Sequence, residues 1–184
     1  FCRYFKSNSS WEIRFDNTRD NVDGRSLCRN NQVNTDGTIM VQIGESQQAA
    51  QSPNLDSPLG KIFRINPDGT IPTDNPYYNA TDGLTWTDHI WASGLRNPFA
   101  GDIDPITGRY FVADVGGGAY EEINDATDAG HDFGWPSQEG VTGEAGFTDP
   151  VFAYSHAEGC AITGAAFNHG GTNAFPPEYD GMFF

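Results

Sequence analysis

Short apolar runs that stop after a handful of residues at an Asn or Asp followed closely by Gly recur along this chain, and helical periodicity is hard to find in it. Residues 38–43 (TIMVQI), 61–65 (KIFRI), 89–93 (HIWAS), 109–113 (RYFVA) and 150–154 (PVFAY) are rich in β-branched and aromatic side chains. Such side chains pack well on a pleated surface, so each run reads as a strand. Between them, 34–37 (NTDG), 66–69 (NPDG) and 104–108 (DPITG) place Asp or Asn where a turn starts and Gly where it needs positive φ. Each is a hairpin signal.

With 22 glycines and 11 prolines the chain is all-β, and the options are a sandwich, a barrel or a propeller. Two details favour the β-propeller. The phrase of turn, apolar strand and polar loop recurs, at irregular spacing, at Asp36-Gly37, Asp68-Gly69 and Thr107-Gly108. Long polar loops between strands also suit the ligand-carrying face of such a fold. Blades are expected to start near Gly37, Ile90 and Pro150.

The 25 acidic and 10 basic residues give a net charge of −15, which repels phosphate backbones and argues against a nucleic-acid partner. Carboxylates and carbonyls are ligands that suit calcium, so calcium stays open as a cofactor. No apolar run approaches the ~20 residues of a transmembrane helix. The first residues carry neither a basic n-region nor an apolar h-region, so a secretion signal would be removed or lie upstream. Sequons at Asn8 and Asn79 point to a secreted, extracellular glycoprotein. The three cysteines lack zinc spacing, and the expectation is a Cys2–Cys28 disulfide with Cys160 paired outside the chain.

Five stretches carry a family resemblance. Residues 59–76 (LGKIFRINPDGTIPTDNP), 90–99 (IWASGLRNPF), 114–124 (DVGGGAYEEIN), 133–136 (FGWP) and 154–164 (YSHAEGCAITG) resemble, in order, motifs of the soluble quinoprotein glucose/sorbosone (aldose sugar) dehydrogenases. The last stretch is similar to the hedgehog-interacting-protein-like branch. The resemblance implies a six-bladed propeller in which pyrroloquinoline quinone (PQQ) and calcium sit in a funnel and an aldose is oxidised. This chain would cover about three blades as part of one propeller domain of a larger protein.

The resemblance also assigns residues. Arg96 and Asn97 fall at the quinone-contacting pair, which suits a tricarboxylate with a polarised quinone; otherwise Arg96 caps a strand end. Gly116 and Gly117 fall where backbone carbonyls hold calcium, with Glu121 in the adjoining acidic pair; otherwise the glycines are a turn and the acids a solvated surface. Glu45 falls where a carboxylate orients the catalytic base. The base itself, a histidine in the family, aligns with Val22, and valine accepts no proton. PQQ-dependent oxidation is therefore expected to be impaired. The alternatives are a silent propeller that binds a glycan or an extracellular protein, and a structural subunit of an extracellular assembly.

Overall fold

The computed structural model describes residues 2–7, 10–15, 28–170 and 175–184, with side chains for 31–170 and 175–184. Strands β1 (Cys2–Ser7) and β2 (Ser10–Phe15) form an antiparallel hairpin. The next four, β3 (Cys28–Val33), β4 (Ile39–Ile43), β5 (Lys61–Ile65) and β6 (Ile90–Ala92), make one antiparallel sheet in chain order. A second sheet repeats the pattern with β7 (Pro98–Ile103), β8 (Tyr110–Asp114), β9 (Tyr120–Asp125) and β10 (Phe152–Ser155). Between 38 and 154 the only helical structure is two three-residue 3-10 turns, as an all-β fold requires.

Strand alternation divides the core. Met40, Ile62 and Ala92 of the first sheet meet Ile103, Tyr110 and Val112 of the second, with Leu95 and Phe133 completing the layer. On the opposite face of the first sheet, Val41, Ile43, Phe63, Ile65 and Ile90 pack beneath Leu55, Ile71, Tyr77 and Trp86 from the long loops. Both faces are buried, which is why all five residues of β5 are buried although one is lysine and one arginine. At the far side of the second sheet, Phe167 pairs with Phe183, and both rings pack on Phe111.

All five strands expected from apolar runs form. The blade boundaries fall elsewhere, because the sheets start at Cys28 and Pro98. Gly37 lies in the β3–β4 turn, Ile90 opens the last strand of the first sheet, and Pro150 precedes the last strand of the second. The apolar runs mark central strands β4, β5 and β8 and edge strands β6 and β10, whereas β3 (CRNNQV), which opens the first sheet, is polar and carries no such run. The turns at 34–37 and 104–108 do join hairpins, with Gly37 and Gly108 at φ of 85° and 76°. The turn at 66–69 forms too, but it opens a long excursion to residue 89. Asn75 holds that excursion down, donating to Arg64 O at 3.0 Å and Asp88 O at 2.8 Å.

Candidate functional site

The first sheet meets the second where β4 ends. The Glu45 N–H donates to Arg96 O at 2.8 Å, and a Cβ on Gly44 would lie 3.3 Å from Asn97 Oδ1. Three residues singled out from sequence, Glu45, Arg96 and Asn97, are thereby brought together. Glu45 is buried, and its Oε2 has no hydrogen-bond partner. A buried carboxylate oxygen without a donor is costly and marks a place where a ligand, water or proton belongs.

The other half of the clasp comes from the end of β8. Asp114 accepts the Arg96 N–H at 2.8 Å on Oδ2 and the Asn97 N–H at 2.5 Å on Oδ1. The Arg96 Nη1 donates to Val115 O at 2.8 Å, and the guanidinium lies over the Trp135 ring at 5.8 Å. Backbone and side chain of Arg96 are thus held separately. The Asn97 side chain takes no hydrogen bond among the described residues.

Pairing of β8 with β9 sets Asp114 opposite Glu122. Burial, reinforced by the Glu122 carboxylate, pushes the Asp114 carboxyl up to about 8 against the pull of the two amides and Arg96. Glu122 is raised as well, first by burial and then by Glu139 and Glu121, although Gly140 N and Asn124 Nδ2 donate to it. Two neighbouring acids beneath the Arg96 backbone thus both have their pKa values raised, and Asp114 resists ionisation at neutral pH.

Glu121 behaves differently. Its Oε1 takes His156 Nε2 at 2.8 Å, and its Oε2 takes Ile162 N at 3.0 Å and Gly116 N at 3.2 Å. Burial opposes the charge, but these donors outweigh it and lower the pKa. Its oxygens are spent on bracing the loops, which leaves Glu121 poorly suited to ligate a metal. The carbonyls of Gly116 and Gly117 accept no hydrogen bond among the described residues. Gly116 must be glycine, since a Cβ would collide with Tyr120 O. No group of three or more His, Cys, Asp or Glu that could hold a metal occurs among the described residues.

The remaining expectations are spread away from this clasp. Asn79 is exposed, its Oδ1 accepting from Thr81 and its Nδ2 donating to Asp82 at 2.9 Å. Cys160 is a free, exposed thiol. Val22 and Asn8 lie outside the described residues, as do the side chains of Cys2 and Cys28. His169 stands with its Nε2 2.8 Å from Asp104 Oδ1. Sequence reasoning assigned no role to Asp114, Trp135 or Glu139. Asp114 lay inside a matched stretch, while Glu139 carries no signal of its own.

The strand order, the apolar layer between two four-stranded meanders and the clasp at their junction define part of a β-propeller. Aldose sugar dehydrogenase YliI of Escherichia coli is 28% identical over 160 residues, which covers 80% of this chain and 41% of that protein. HIPL2 protein of Arabidopsis thaliana is 29% identical over 170 residues, 74% of this chain and 24% of that one. The solved PQQ-bound aldose sugar dehydrogenase of Streptomyces coelicolor matches with a TM-score of 0.66 and 26% identity, covering 90% of this chain and 52% of that one. The chain belongs to the Glucose / Sorbosone dehydrogenase family, whose model matches residues 7–184. It spans less than half the length of the two curated relatives. No helix among the described residues is long and apolar enough to cross a membrane.

Proposed function

We propose that this chain supplies part of the cofactor funnel of an extracellular, PQQ- and calcium-type aldose dehydrogenase propeller in which the general base has been lost. The observation that carries the reading is the clasp: Asp114 and Val115 hold Arg96 and Asn97 while Glu45 faces them with an unpartnered oxygen. A guanidinium with free donors beside an unengaged amide suits a flat, polycarboxylate quinone. The buried indole N–H of Trp135, also unpartnered, is a further donor that a ligand would satisfy. Calcium would fall to the carbonyls of Gly116 and Gly117, with Glu121 bracing the loop.

When bound, PQQ would supply a two-electron acceptor for hydride from the sugar. The residues of this chain do the rest. Arg96 and Asn97 orient the quinone oxygens, Trp135 backs the guanidinium, and Asp114 fixes the backbone from which both side chains project. Glu45 places a carboxyl group, with one oxygen unpartnered, where a base would be oriented. Val22 in the base position removes the proton acceptor, and general-base catalysis contributes typically ~10²–10⁴-fold.

The test is dye reduction by the native protein that carries this chain, given PQQ, calcium and a panel of aldoses, beside its Val22→His variant. The reading expects PQQ to bind, turnover near background, and turnover gained with histidine. Robust oxidation by the unsubstituted protein would contradict the loss of the base. Failure to bind PQQ would favour the silent glycan- or protein-binding alternative.

A further inference from the structure

The N–H groups of Gly117, Gly118 and Ala119 converge on one carboxylate. Gly117 and Gly118 donate to Glu139 Oε1, the latter at 3.2 Å, and Ala119 donates to Oε2 at 3.0 Å. Successive amides curled around an anion form a nest, and here the anion is a side chain from about twenty residues further along the chain. None of the three amides has another acceptor among the described residues. This arrangement joins the two walls that hold Arg96. One wall is the start of the same loop, where Val115 O takes the Arg96 Nη1 at 2.8 Å. The other is Trp135, on the same segment as Glu139, whose ring lies under the guanidinium and against Gly117 so closely that a Cβ there would collide with it.

We propose that Glu139 is a positioning residue for Arg96, pinning the 115–119 loop to the Trp135 segment so that the guanidinium is held between them. The consequence for quinone binding rests on the function proposed above; the positioning itself does not. Removing the carboxylate frees three amides, lets the loop open, and loosens Arg96 without touching it. Because the nest binds an anion by backbone geometry, a small free carboxylate refills it once Glu139 is truncated.

The experiment uses the native protein with Glu139→Ala and Glu139→Gln, each with and without tens of millimolar formate. Amide hydrogen exchange is read at 117–119, the phenylglyoxal modification rate at Arg96, and affinity by PQQ titration. Charge-assisted hydrogen bonds of this kind set an expected rise in exchange on the order of 10- to 100-fold in Glu139→Ala, reversed by formate. Arg96 is expected to react several-fold faster and to slow again with formate. Glu139→Gln, whose amide oxygen still accepts from Gly117 and Gly118 while its NH2 group meets the Ala119 N–H, is expected to show the same changes at smaller size and stands in for alanine should that variant not fold. PQQ affinity is expected to fall about ten-fold in Glu139→Ala and recover with formate, whereas Arg96→Ala weakens binding without recovery. An Arg96 modification rate that is unchanged in both variants, or raised but indifferent to formate, overturns the positioning role. If the unsubstituted protein binds no PQQ, the proposed function fails, and exchange with Arg96 reactivity still decides the role of Glu139.

Discussion

The strands of the first sheet bury cations and those of the second bury carboxylates, and the two are resolved in different ways. Lys61, with no exposed surface, donates from Nζ to the carbonyls of Gln51 and Leu59 at 3.2 and 2.8 Å and also to that of Ser52. Arg64 is shared between Asp36 at 2.7 Å and Asp74 at 2.9 Å and lies over Trp91. Each cation is consumed by a loop of its own sheet. In the second sheet Asp114 and Glu122 face each other with raised pKa values, and Asp114 spends its oxygens on the Arg96 and Asn97 amides. The first sheet is a sealed scaffold, while the second carries strain at the edge where Arg96 and Asn97 are presented.

The largest effect that sharpens this contrast is expected from the core of the scaffold. Phe63 is fully buried, so Phe63→Ala should cost about 3–5 kcal/mol, whereas Phe152→Ala on the half-exposed last strand should stay within about 1 kcal/mol. Denaturant unfolding of the two variants checks this, and equal losses would erase the distinction between the sheets. Next comes Lys61→Met, which orphans three carbonyls and should cost roughly 1–3 kcal/mol by the same measurement.

The pH dependence separates the sheets further. The Asp114 pKa rises from 3.8 to about 8 on folding, so the folded state holds the extra proton and its stabilisation is lost as pH climbs through that window. Burial pushes Lys61 down from 10.5 to about 8, with the Asp132 carboxylate pulling it partly back, so the unfolded state holds the extra proton and stability recovers between about 8 and 10.5. Stability should therefore dip near pH 8, with limbs on the order of 1 kcal/mol per pH unit. Asp114→Asn should flatten the acid limb and Lys61→Met the alkaline one. The smallest effect is expected at Arg109, whose exposed pairing with Asp125 at 3.3 Å should be worth under about 1 kcal/mol when Arg109→Ala is compared in thermal unfolding.

What could be read from the sequence follows the same division. Strands β4, β5, β6, β8 and β10 announce themselves because apolar side chains line at least one of their faces. Strands β3 (CRNNQV) and β9 (YEEIND) do not, since both are polar in sequence; β9 is held by its ladder and by loop amides that bond Glu121 and Glu122. Strand β7 begins at a proline and runs through Gly101, where a Cβ would meet Phe111 O and the Gln42 side chain, so its place is set by close packing rather than by propensity. Within the site, Glu45, Arg96 and Asn97 were identifiable from resemblance, but their meeting depends on Gly44 and on the β8 end. Glu121 was marked by its place in the acidic pair of the resembling stretch; its role as a brace depends on His156 and on Ile162, 41 positions away. Contacts of that range leave no local signature.

The central claim is that the clasp presents Arg96 and Asn97 to a quinone. A PQQ titration of the native protein beside its Arg96→Ala and Asn97→Ala variants tests it most directly, followed by the absorbance of the bound quinone. The account predicts saturable binding that weakens by roughly 10- to 100-fold in Arg96→Ala, as loss of a charge-assisted contact requires, and by less in Asn97→Ala. Equal affinity across all three proteins, or no saturable binding in any, would contradict it.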